Sequence, residues 1–123
     1  MIPEREATIS IYDSALMFGD MVFEMTRSFN KQQFMLKEHL ERLYHSIKYL
    51  RIPIEMDIKE MEHHCNQVIE ANEPFFQPDD EHRLMIDVSR GILGLYHRAM
   101  EGSHLGTNVI ISDFPLKHLH QIV

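Results

Sequence analysis

An apolar stripe at helical spacing is the feature of this sequence that most restricts its fold. Such a stripe defines one face of an α-helix, and that face must pack against another element to leave water. The helix is expected over residues 37–50, because Pro53 follows shortly and the residue before a proline disfavours helical geometry. The stripe comprises Leu36, Leu40, Leu43, Ile47 and Leu50.

A second helix is predicted to begin at Asp57, whose carboxylate can cap the first turn. Glu60 lies three residues further on and completes a capping box. The helix should stop near Asn72-Glu73-Pro74, since proline cannot continue it. Its apolar face would contain Ile58, Met61, Cys65, Val68 and Ile69. The single cysteine, Cys65, is therefore interpreted as a buried, reduced thiol.

Strands are predicted on both sides of the helices. Residues 7–12 are rich in β-branched side chains and run into a turn at Asp13, and residues 20–29 form a second strand that turns back as a hairpin. Alternation over residues 84–88 and the apolar run at 108–112 predict two more. This order predicts a single α+β domain, a two-layer sandwich of a mostly antiparallel sheet with two helices on one face.

Composition argues against several classes of function. The net charge is -7 and the twelve basic residues are scattered, which disfavours nucleic-acid binding. No apolar run approaches the roughly 20 residues that cross a bilayer, and no signal-peptide pattern opens the chain, so a cytoplasmic protein is expected. Nucleophile-elbow, P-loop and dinucleotide-binding motifs are missing.

Nine histidines raise the question of a metal site, but no metal is expected. The two candidate groups are His63-His64-Cys65 and His118-x-His120. Adjacent helical residues diverge by about 100° and cannot face one ion together, and the spacing matches no zinc motif.

Two sequence patterns indicate residues that could bind a ligand. Strand periodicity places Phe23, Met25 and Arg27 on one side of the strand and Glu24 on the other. In one interpretation, Arg27 lies at a solvated strand end and Glu24 is a surface charge. A pocket wall that holds an apolar side chain beside a carboxylate is the other.

The first helix also has a polar flank at three-four spacing. A hydrated flank is the simpler interpretation, and in the alternative Arg42 holds a phosphate by charge-assisted hydrogen bonds. The flank is formed by His39, Arg42, Ser46 and Tyr49.

Four ordered blocks resemble the class IV, or fold-type IV, pyridoxal-phosphate-dependent aminotransferases. That family includes branched-chain and D-amino acid aminotransferases and aminodeoxychorismate lyase. The resemblance implies the family's small N-terminal domain over residues 1–123, pyridoxal phosphate as cofactor, an amino acid and a 2-oxo acid as substrates, and a homodimer. The blocks are residues 7–13, Phe18-Gly19-Asp20-x-Val22-Phe23-Glu24, Glu38-His39-Leu40-Glu41-Arg42-Leu43 and Val88-Ser89-Arg90-Gly91.

The resemblance also implies roles for particular residues. Arg42 matches the arginine that contacts the cofactor phosphate. Phe23 and Arg27 match positions that line the substrate pocket, where Met25 replaces the glycine usual in branched-chain members. Phe18 matches an aromatic that reaches the neighbouring subunit's pocket. The loop that contains Tyr96, with His97 and Arg98, corresponds to the region of substrate-carboxylate contacts.

The family's catalytic lysine belongs to a second, larger domain, and none of the five lysines here lies in a matching context. The chain alone is therefore expected to be inactive, without a catalytic residue of its own. Two alternatives remain open: a stand-alone domain that only associates with other proteins, and a domain of an aminodeoxychorismate lyase-like enzyme.

Overall fold

The computed structural model describes residues 1–117, which form a four-stranded sheet with two long helices on one face. The expected α+β two-layer sandwich is confirmed. In chain order the elements are α1 (Ser14–Phe18), β1 (Met21–Phe29), β2 (Gln32–Gln33), α2 (Leu36–Leu50), α3 (Ile58–Asn72), β3 (Glu81–Ser89) and β4 (Asn108–Leu116).

The strands pair antiparallel in the order β2-β1-β3-β4. β2 pairs only with Ser28 and Phe29, so the rest of β1 has a strand partner on one side only within residues 1–117. The predicted hairpin is present but short. Its turn residues, Asn30 and Lys31, both have positive φ (51° and 65°), as a type I′ turn requires.

The core lies between the sheet and the two long helices. Alternate residues of β1 and β3 point into it, and the apolar faces of α2 and α3 cover them. Leu50, the last residue of the predicted stripe, is instead 39% exposed, because α2 ends there. Fully buried side chains of the core include Leu40, Leu43, Met61, Cys65, Leu84, Ile86 and Val88.

The predicted start of the second helix is confirmed by its capping box. The Glu60 amide donates to Asp57 Oδ1 at 2.8 Å, and the Asp57 amide donates to Glu60 Oε2 at 2.9 Å. Two donors at the start of α3 are thereby satisfied reciprocally. The helix ends at Asn72, as the following Pro74 predicts.

The strand predicted over residues 7–12 is wrong. Asp13 forms one isolated bridge with Ile92, and residues 7–12 belong to no strand. Side chains bond the backbone locally here: the Tyr12 amide donates to Ser10 Oγ at 3.0 Å, and just after the segment the Ala15 amide donates to Asp13 Oδ1 at 2.9 Å. Asp13 is therefore the N-cap of α1 rather than part of a turn after a strand.

The last two strands are longer than predicted. β3 begins at Glu81, and β4 continues through Pro115, which an edge strand tolerates. In the connection between β3 and β4, Gly91 has φ of 87° and lies close to the backbone of Gly106. A Cβ there would stand 2.1 Å from the Gly106 carbonyl oxygen, so only glycine fits.

Candidate functional site

The exposed face of β1 carries the side chains proposed as a pocket wall. Phe23 is 61% exposed and Met25 lies beside it on the same face. Arg27 is more than a solvated strand end: its guanidinium stacks 4.0 Å above the Phe29 ring, and its Nε donates to the Ser28 carbonyl at 3.1 Å. One sheet face thus presents apolar groups beside a guanidinium.

β3 extends this face through its register with β1. Asp87 lies opposite Phe23, and Arg83 lies opposite Arg27. Burial raises the pKa of Asp87, and the Arg83 guanidinium lies 5.0 Å from the Phe114 ring centroid. Sequence reasoning missed Arg83, although alternation along residues 81–89 puts it on the same side as Asp87.

Glu24 points to the opposite, helix-covered side of β1 and is only 6% exposed. Its interpretation as a surface charge is wrong. Arg42 Nε donates to Glu24 Oε1 at 2.5 Å, and Arg42 Nη2 donates to Oε2 at 2.8 Å. His39 Nδ1 lies 2.8 Å from the same Oε2 atom. A charged side chain on a core-facing strand position is thus satisfied by two residues of the polar flank of α2.

The pair has a clear electrostatic signature. The hydrogen bond from Arg42, aided by His39, outweighs burial and lowers the pKa of Glu24, while the same bond raises the pKa of Arg42. Both groups therefore stay ionised near neutral pH. The Arg42 side chain is 68% exposed, and the pairing uses only its Nε and one Nη2 hydrogen. The remaining Nη hydrogens are donors of the kind that a phosphate accepts.

The structure does not bring all the candidate residues together within residues 1–117. Arg42 pairs with Glu24 on the helix side of β1, whereas Phe23, Met25 and Arg27 share the other side. Phe18 ends α1 and is 63% exposed. Tyr96 stacks on Tyr12, with ring centroids 5.4 Å apart.

Comparison with known proteins decides the family. The family model described as amino-transferase class IV matches residues 21–121. The chain belongs to this family. No helix within residues 1–117 is both long and apolar enough to cross a membrane.

Similar proteins include several with aminotransferase names. A Methanocaldococcus jannaschii protein, provisionally named a branched-chain-amino-acid aminotransferase, is 38% identical over 94 residues, which are 76% of this chain and 32% of that protein. The D-alanine aminotransferase of Listeria monocytogenes is 26% identical over 95% of this chain and 35% of its own length.

A solved structure agrees with the sequence comparisons. The branched-chain amino acid aminotransferase of Escherichia coli matches with a TM-score of 0.73 and 28% identity, over 94% of this chain and 37% of that one. The chain spans about a third of the length of the curated relatives described above.

One arginine in the blocks that resemble the class IV family is occupied by structural contacts. Arg90 Nε donates to Asp20 Oδ2 at 2.6 Å. Its Nη atoms donate to the carbonyls of Leu50 at 2.7 Å and Arg51 at 3.0 Å. Arg90 therefore ties the end of β3 to the C-terminus of α2, where unpaired carbonyls favour a cation.

A second buried polar cluster lies at the far end of the sheet from Arg90. His82 is 1% exposed, with Nδ1 2.6 Å from Asp113 Oδ2, Nε2 against Glu73, and the Phe76 ring stacked at 4.4 Å. The two carboxylates bond opposite nitrogens of the His82 ring. In the part of the chain that the structure describes, no three His, Cys, Asp or Glu side chains are placed to hold a metal. His118 and His120 lie outside the described residues.

Proposed function

We propose that this chain is the small domain of a pyridoxal-phosphate-dependent aminotransferase. The enzyme would transfer an amino group between an amino acid, of branched-chain or D type, and a 2-oxo acid. Membership of the class IV family and the names of the relatives support this assignment. The observation that carries it is Arg42, an exposed guanidinium held at one edge by a buried carboxylate, with no bonding partner at its other edge among residues 1–117.

Arg42 would hold the phosphate of the cofactor. A guanidinium binds phosphate through paired, charge-assisted hydrogen bonds, and the Nη donors of Arg42 that Glu24 does not use would supply them. When bound, pyridoxal phosphate supplies an electron sink for chemistry at the substrate α-carbon. The contribution of this chain is to anchor and orient that group and not to react with it.

The exposed face of β1 would form one wall of the substrate pocket. Phe23 and Met25 offer apolar contact area, and Arg27 offers charge for a carboxylate. Phe18 and Tyr96 are proposed as further substrate contacts. In a homodimer, Phe18 would reach the substrate pocket of the neighbouring subunit.

Phosphate-dependent binding tests the proposal. Pyridoxamine phosphate is titrated against the chain by calorimetry, with pyridoxamine, which lacks the phosphate, as the matched ligand. Arg42→Ala should abolish the preference for the phosphorylated ligand, while Lys48→Ala, an exposed cation on the same helix, should retain it. If Arg42→Ala retains the preference, the cofactor role of Arg42 is wrong.

Turnover tests the domain assignment. The chain mixed with pyridoxal phosphate, a branched-chain or D-amino acid and a 2-oxo acid is expected to form no product, because none of its lysines lies in the family's catalytic context. Steady product formation would contradict the assignment of this chain to a non-catalytic small domain.

The exposed aromatic residues favour a second candidate, a domain that acts only by association. Phe23, Phe29 and Phe114 are all more than half exposed in the structure. Apolar surface of this kind drives self-association or docking in soluble proteins. A monomeric mass at every concentration in sedimentation equilibrium would count against this candidate and against a homodimer of the isolated chain.

A further inference from the structure

We propose that Glu24, braced by His39, is the positioning residue that orients Arg42 toward the phosphate of the cofactor. The proposal rests on the proposed function, because it takes Arg42 as the phosphate contact. It adds two residues to that site, neither of which would touch the cofactor itself.

The two partners differ sharply in exposure. The Glu24 side chain is 6% exposed and sits in the sheet, while the Arg42 side chain is 68% exposed on α2. The carboxylate is thus the immobile partner and the guanidinium the mobile one. An unpaired exposed arginine samples many rotamers, and each must be given up when a ligand is bound.

The mode of pairing decides which edge of Arg42 faces outward. Glu24 binds the side formed by Nε and Nη2, at 2.5 and 2.8 Å. Because the guanidinium is planar and rigid, occupying that side leaves Nη1 and the second Nη2 hydrogen directed away from the carboxylate. A phosphate can then be bound without reorganisation of the arginine.

His39 holds Glu24 in the orientation that this requires. It lies three residues before Arg42 on α2, and its Nδ1 is 2.8 Å from Glu24 Oε2, the oxygen that also accepts from Arg42 Nη2. Residues three apart on a helix are neighbours on its surface. The carboxylate is therefore bonded from two sides, with Nε of Arg42 on its other oxygen.

Neutralising Glu24 should change the affinity for phosphate in opposite directions, depending on whether Glu24 acts through charge repulsion or through positioning of Arg42. A carboxylate beside an anion site repels the anion, so charge alone predicts that Glu24→Gln binds phosphate more tightly. Positioning predicts weaker binding, because the amide has an NH2 donor in place of one acceptor oxygen and the side-on pair with Arg42 is lost. The sign of the change therefore separates the two.

The experiment measures pyridoxamine phosphate affinity, relative to pyridoxamine, for the chain and three variants. Glu24→Gln and Arg42→Lys, which keeps the charge but cannot bond side-on, are each expected to weaken phosphate-dependent binding by about tenfold. Glu41→Gln removes an exposed carboxylate next to Arg42 and should leave binding equal or slightly tighter. Equal or tighter binding by Glu24→Gln would overturn the proposal and leave the role of Arg42 intact.

A ligand-free measurement keeps the test independent of the folding of Glu24→Gln. In the nitrogen-15 NMR spectrum of the unsubstituted chain, the Arg42 Nε–H is expected to exchange slowly with water, and His39→Leu should speed that exchange. Fast exchange in the unsubstituted chain overturns the positioning proposal. Slow exchange with no phosphate-dependent binding at all overturns the cofactor role of Arg42, and with it the proposed purpose of Glu24.

Discussion

His82 and Asp113 meet across β3 and β4, with His82 Nδ1 2.6 Å from Asp113 Oδ2. Both side chains are buried, and the other His82 nitrogen bonds Glu73. The two carboxylates bond opposite nitrogens of one ring, so His82 joins the turn after α3 to both β3 and β4.

Removal of that histidine should destabilise the chain strongly. His82→Leu leaves the buried Asp113 carboxylate without its partner, and we expect a loss of about 3 kcal/mol in the free energy of unfolding. His45→Leu, an exposed histidine on α2, should change it by less than about 0.5 kcal/mol. Urea denaturation measures both. The double variant His82→Leu/Asp113→Leu should recover part of the loss, and a single-variant loss below about 1 kcal/mol would contradict the prediction.

The Glu24–Arg42 pair should contribute stability that disappears in acid. Hydrogen bonding to Arg42 lowers the pKa of Glu24 below 4.5, its ordinary value. A carboxyl whose pKa is lowered by folding stabilises the folded state above its unfolded pKa and loses that contribution as pH falls through its folded pKa. The difference in unfolding free energy between the unsubstituted chain and Glu24→Gln should therefore be constant well above pH 4.5 and shrink as the pH falls below that value. A difference that grows in acid would contradict this sign.

Cys65 should be unreactive in the folded chain. It is fully buried, and burial raises the pKa of its thiol to about 12. Because the thiolate is the reactive form, a disulfide reagent at about pH 8 should label the native chain slowly and the urea-unfolded chain within minutes. Rapid, complete labelling under native conditions would show that the core between α3 and the sheet opens readily.

The C-terminus of α2 offers a stabilising substitution. Arg51 has φ of 56°, a left-handed conformation that glycine adopts without a steric penalty. Arg51→Gly should raise the free energy of unfolding by up to about 1 kcal/mol. The matched change Lys48→Gly, at an exposed position inside the same helix, should lower it by about 1 kcal/mol. Thermal unfolding followed by circular dichroism compares them, and effects of the same sign would contradict the explanation.

The two long helices could be predicted because their signals are local. The stripe from Leu36 to Ile47 and the capping box at Asp57 each depend on residues within a turn or two of each other. The prediction of a strand at residues 7–12 was wrong because β-branched composition does not indicate whether a partner strand exists. Pairing is decided by distant residues, and here the side chains of Ser10 and Asp13 bond the nearby amides of Tyr12 and Ala15.

The candidate site was predictable in part. Alternation along β1 correctly separated Phe23 and Arg27 from Glu24. It did not tell which side the helices cover, so Glu24 was interpreted as a surface charge and its pairing with Arg42 was missed. His82 was missed for a related reason: the alternation seen at residues 84–88 continues back to it, but its partners Glu73 and Asp113 come from other segments.

The adjacency of β1 and β3 has a consequence for how the chain folds. These neighbouring strands are separated along the chain by residues 30–80, whereas α2 and α3 form from local contacts within that interval. Closing a loop of about fifty residues costs entropy that only the completed β1–β3 ladder offsets. The helices should therefore gain structure within microseconds, and the slow step of folding should be the docking of β3 against β1.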